Sequence, residues 1–227
     1  MRMPPLPRLP PLPPLLAALV TVSCSSHADS IATTGQFRVE AWSDNWFAMY
    51  DGDTLLQEDS VSIETERSFN KEVFGFDGAY PLNLNFMLKD YKANDTGLEY
   101  IGTAQQQMGD GGFIMQIKDT LTGAYVAVSH QGWQCLVIHR APTDISCEDS
   151  ATPEVDCASA ITAEPSGWMD AGYDTSAWPA AVEYSTDDVK PKEGYDEVSW
   201  DASAKLIWSS SLKQDNTLLC KVSVTAP

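Results

Sequence analysis

Basic residues are scarce in this chain: 14 Lys and Arg stand against 32 Asp and Glu, for a formal net charge of −18. That balance excludes a polyanionic partner, because nucleic-acid binding rests on neutralising phosphates with Lys and Arg. An anionic membrane surface is excluded for the same reason. Histidine is scarcer still. Only His130 and His139 lie beyond residue 28, and no serine occupies a Gly-x-Ser-x-Gly turn, so a hydrolytic triad is not expected. The apolar run Leu15 to Val22 is too short to span a membrane. The cysteines lack the neighbouring Cys or His spacing of a structural zinc site. There are no heptads, internal repeats or long amphipathic helices. Acids are so plentiful that none stands out as the carboxylate pair a glycosidase needs, and the chain reads as non-catalytic.

At the N-terminus, Arg2 and Arg8, the apolar run and Ser26-His27-Ala28 before Asp29 form the pattern of a secretory signal peptide cleaved after Ala28. The prolines between Pro4 and Pro14 are unusual in such a segment. The competing reading makes Cys24 a lipidated residue. Residues 29–35 then form a short tail and residues 36–227 one domain, long enough at about two hundred residues to bury a proper core. Four cysteines remain beyond residue 28, an even number that in an exported chain argues for two disulfides among three connectivities. The expected pairs are Cys135 with Cys220, both in apolar strand-like runs, and Cys147 with Cys157, closing a polar loop.

Strand patterns recur along this domain. Phe113 to Lys118 and Ala124 to Ser129 flank the polar loop Asp119-Thr-Leu-Thr-Gly123, an antiparallel hairpin signal with Phe113, Met115 and Ile117 on one face. The chain then turns through Gln131-Gly132 and plants Trp133 beside Cys135. Gln36 to Glu40 alternates, and Asp44 to Tyr50 runs into the turn Asp51-Gly52-Asp53. Phe69 to Phe76, Leu98 to Thr103, Ala204 to Trp208 and Thr217 to Val224 read as further strands. In Leu82 to Leu88, the residues Leu82, Leu84, Phe86 and Leu88 make a core face against a wetter face of Asn83, Asn85 and Met87. Gln105 to Gly112 reads as a flexible, glycine-rich lead into the hairpin, Ala141 to Ala160 as an acidic surface excursion and Asp187 to Tyr195 as a loop. The fold class is all-β with little helix.

Two motifs carry a resemblance: the Gly111-Gly112 hairpin ending in Ser129-His-Gln-Gly-Trp133, and Tyr173-Asp-Thr-Ser-Ala-Trp178-Pro-Ala180. Together they resemble the galactose-binding-like jelly-roll modules attached to secreted glycoside hydrolases, with Thr175 where that pattern carries an acid. Ala204 to Trp208 and Asp215 to Cys220 are similar to the same group, so the likeness spans residues 36–225. It implies a single jelly-roll β-sandwich with disulfides, a carbohydrate or cell-surface glycan as partner, and a structural calcium ion.

Tryptophan is the informative excess. A sugar presents C–H groups on one face and hydroxyls at its edge, so a binding module stacks an aromatic ring under the face and rings it with polar groups. Trp42, Trp46 and Trp133, next to polar turns and to Asp44 and Asn45, are the expected stacking site, whereas Trp178 and Trp208 read as core. Calcium prefers carboxylate and carbonyl oxygens, and Asp44-Asn45, Asp51-x-Asp53, Asp90 with Asn94-Asp95, and Asp110 offer them in turns. In an alternative reading, His130, His139 and an oxidised Trp133 bind copper, as oxidised tryptophan and histidine do in the small secreted copper-binding proteins of methane-oxidising bacteria, which the chain resembles in size. A third reading is a structural or adhesive surface protein.

Overall fold

A computed structural model describes residues 33–65 and 70–227, together with Met1 and Met3. The expected signal peptide, the lipidation alternative at Cys24, most of the 29–35 tail and Phe69 lie outside the described residues. The strands are β1 (Thr34–Asp44), β2 (Trp46–Asp51), β3 (Thr54–Glu58), β4 (Lys71–Ala79), β5 (Leu82–Lys89), β6 (Leu98–Glu99) and β7 (Gln107–Met108). They continue with β8 (Gly112–Asp119), β9 (Tyr125–Val128), β10 (Gln134–Arg140), β11 (Ala160–Ile161), β12 (Val182–Tyr184), β13 (Leu206–Trp208) and β14 (Asp215–Val224). The only helical pieces among the described residues are short turns such as Pro153–Asp156 and Thr186–Val189.

All strand pairs are antiparallel. One sheet runs β12-β13-β8-β1-β4 with β9 also on β8, and the other runs β11-β10-β14-β5-β2-β3. The two inner faces share one core. Phe37, Val39 and Ala41 of β1 and Phe113, Met115 and Ile117 of β8 meet Leu82, Leu84, Phe86 and Leu88 of β5 and Leu218 of β14. Period-two alternation produces this directly, because every second side chain of a strand points to the same face. The hairpin forms as its loop chemistry dictates, with Gln116 opposite Val128 and the Asp119 carboxylate accepting from the N–H groups of Leu121 and Thr122.

Much of both outer faces is also covered, which alternation alone does not announce. On the first sheet Trp42 and Ile114 are packed under Val189, Ala204 and Leu206. On the second, Ile138 and Leu219 are packed under Trp168 and Trp178. Asn85, on the face expected to be wetter, is wholly buried, and its Nδ2 donates to Gly52 O and Met169 O. The segment from 165 to 204 wraps the sandwich, and its backbone carbonyls take the place of water.

Both disulfides are formed. Cys135 and Cys220 face each other across β10 and β14, while Cys147–Cys157 closes the polar excursion.

Candidate functional site

Three strand ends converge at one edge of the sandwich. β1 ends at Asp44, and the chain crosses to the other sheet within one residue, since Asn45 N–H already donates to Lys89 O of β5 at 3.0 Å. β5 ends at Lys89, and the next residue, Asp90, donates its N–H to Asn216 O at 2.9 Å. β8 begins at Gly112, opposite Asp44, so Asp110 sits just ahead of it. The outcome is a group of three carboxylates, Asp44, Asp90 and Asp110, whose nearest oxygens all lie within 4.8 Å of one another.

Asp44 is 0 % and Asp90 2 % exposed, whereas Asp110 is partly open to solvent. The Lys192 ammonium lies 3.1 Å from Asp110 Oδ2 and 3.4 Å from Asp44 Oδ2. Among the described residues Asp44 Oδ1 and both carboxylate oxygens of Asp90 are buried without a hydrogen-bond partner. Burial, with the Asp110 charge beside it, pushes the Asp44 carboxyl up to about 7 against the pull of Lys192. Asp90 is driven well above the usual carboxylate range by burial and then by the charges of Asp44, Glu99 and Asp110. Lys192 is pulled down by burial, but the two aspartates more than offset this and its net shift is upward.

Glycine 109 makes the approach possible. A Cβ there would stand 1.7 Å from Asp90 Oδ2, so the backbone presses directly against the carboxylate. Gly111 and Gly112 are similarly filled, against the Trp208 ring and the Val189 side chain. The expected flexible lead is therefore a packed segment, and its glycines permit close approach.

A cavity of about 580 Å³ opens beside the cluster, with Asp90 lining both. Its floor is the outer face of the second sheet, with Met87 and Lys89 from β5, Thr217 from β14, and Ile138 and His139 from β10. Tyr91 and Lys92 wall one side, and Glu64 and Glu164 also line it. Burial lowers His139, whose Nδ1 is 3.0 Å from Asn216 Oδ1 and whose Nε2 is 3.4 Å from Asp95 Oδ1. Lys89 lies over the Trp46 ring, 4.9 Å from its centre.

The expected site residues are divided among different places. Trp42 and Trp133 are 0 % and 1 % exposed, with their Nε1 groups donating to Glu193 O and Val128 O, so neither offers a ring face to a sugar. Trp46 is half-buried at the Lys89 edge, and Asn45 Oδ1 accepts from Tyr91 N–H. Asp51 and Asp53 belong to the β2–β3 turn, where Asp51 Oδ1 accepts from Asn83 N–H. They are not part of the carboxylate group that Asp110 joins. His130 precedes β10 and His139 is near its far end; the strand between Gln134 and His139 alone measures roughly 16 Å at about 3.3 Å per residue. The two imidazoles cannot share a copper ion, because metal–nitrogen bonds are near 2 Å. Lys192, Glu99 and Gly109 were not singled out by sequence reasoning, and only the Gly-Asp-Gly-Gly run hinted at the last.

Comparison with protein-family models, with curated proteins and with solved structures finds no match to this chain.

Proposed function

We propose that this chain is a secreted, non-catalytic jelly-roll module that binds carbohydrate in the cavity over its second sheet. The observation that carries the reading is the make-up of that cavity: an apolar floor of Met87 and Ile138 and an aromatic wall at Tyr91, interleaved with Lys89, Lys92, His139, Glu64 and Glu164. A saccharide needs an apolar surface for its C–H face and both donors and acceptors for its hydroxyls. Mixed charges fit a neutral polyhydroxylated ligand better than a strong anion or cation. Secretion is supported by the signal-like N-terminus and by the two disulfides, which persist in oxidising compartments. His130 Nδ1 accepts from Gly132 N–H and His139 Nδ1 meets Asn216, contacts suited to structure rather than to activating a nucleophile.

The test is a glycan-array screen of the purified chain, followed by titration of each hit into Tyr91→Ala and Lys89→Met. Binding that weakens at least tenfold in both variants with unchanged thermal unfolding is the expected result. Either no glycan ligand, or ligands that bind both variants as well as the wild type, overturns the proposal.

A further inference from the structure

We infer that Asp44, Asp90 and Asp110 form a site for one divalent cation, with calcium as its ion. This is independent of the carbohydrate reading and would stand if that reading failed.

An acidic cluster alone would carry little weight, since exposed acids collect on any protein of this charge. Here two of the three carboxylates are entirely inside. Burying a carboxylate oxygen without a partner costs free energy that folded proteins ordinarily avoid. Three such oxygens, Asp44 Oδ1 and both of Asp90, are left over at one spot among the described residues. The backbone leaves no room for a covering side chain at Gly109, where even a methyl group would collide with Asp90 Oδ2. What fills the need must be small and positive.

The charges agree. Ionised, as a bound cation would make them, the three aspartates against Lys192 leave two negative charges, and Glu99 lies near enough to add to the deficit. One divalent ion balances the aspartates and lysine. The donor set contains only oxygen, with no cysteine or histidine in the group, which disfavours zinc and copper and suits a hard ion. Oxygens spread over as much as 4.8 Å can span a calcium ion, whose bonds of about 2.3–2.6 Å place opposite ligands about 5 Å apart. Magnesium bonds of about 2.0–2.1 Å would require the group to contract. Asp110 and Lys192 form the solvent side, so the ion enters there and the ammonium swings off the carboxylates as it does.

The experiment is equilibrium dialysis of the chelator-treated full chain against calcium alone, repeated with magnesium and with zinc. We expect one calcium per chain, weaker magnesium binding, and at least a hundredfold loss of calcium affinity in Asp90→Asn. Because a buried variant can fail to fold, Asp110→Asn, at the open side of the site, serves as the second variant and should weaken calcium at least tenfold. No calcium binding by the wild type, or binding that both folded variants retain, overturns the inference.

Discussion

The two disulfides should contribute unequally, and the difference can be worked from their loops. Cys135 and Cys220 are 85 residues apart, while Cys147 and Cys157 are 10 apart. If a crosslink acts by restricting the unfolded chain, the long loop stabilises by about 4.6 kcal/mol and the short one by about 2.7 kcal/mol. Packing widens the gap. Cys220 and Cys135 are 0 % and 3 % exposed within the main core, so removing each sulfur leaves a void costing on the order of 1 kcal/mol. Cys157, on the polar excursion, is only half-buried. Replacing each pair by alanine and measuring unfolding free energy in guanidinium chloride should therefore give a loss roughly 2–4 kcal/mol larger for Cys135→Ala/Cys220→Ala than for Cys147→Ala/Cys157→Ala. Equal losses, or a larger one for the short loop, would refute both the loop-entropy argument and the placement of the long bridge in the core.

Two further outcomes concern the carboxylate group. Asp44 titrates at about 7 in the folded chain against an ordinary value of 3.8, so its protonated form favours the folded state. That stability is complete below about pH 4 and is lost as pH rises through about 7. His139, whose value is lowered by burial, pulls the other way, so the comparison is with Asp44→Asn. In EDTA, the stability of the wild type relative to that variant should fall between pH 4 and pH 7.5 in urea unfolding, and a rise would contradict the burial argument. Gly109→Ala should destabilise by roughly 1–3 kcal/mol through overpacking against Asp90, and combining it with Asp90→Ala should recover part of that loss; additive losses in thermal or urea unfolding would show that the two do not touch.

How much of this was legible in the sequence depended on range. The hairpin at Phe113–Ser129 was readable because its strands and turn are contiguous, and its inward residues Phe113, Met115 and Ile117 follow from alternation. The Cys135–Cys220 pair could be inferred because both residues lie in apolar strands. Leu98 to Thr103 shows the opposite case: only Leu98 and Glu99 extend, pairing with β7, before Tyr100 takes a left-handed conformation and the chain turns. Local composition favoured a strand, and a turn won. The tryptophans misled because position next to a polar turn says nothing about the distant segment that covers a ring; Trp42 is buried by residues some 150 positions later. Asp44, Asp90 and Asp110 each stood out as oxygen donors. Their meeting did not, because it depends on where β1, β5 and β8 begin and end in three dimensions.

The strand order also sets a timetable. β14, residues 215–224, is not an edge but lies between β10 and β5 and pairs with both along most of its length. Until those residues have left the ribosome, the second sheet is split in two and the main core has an open side. Leu218 and Cys220, which complete that core, are made after every other strand of the two sheets. Sheets built from such distant partners form slowly, so the closing of this sheet is set by its last strand rather than by its first hairpins. The long bridge, whose second sulfur is on β14, likewise waits for that strand to reach β10.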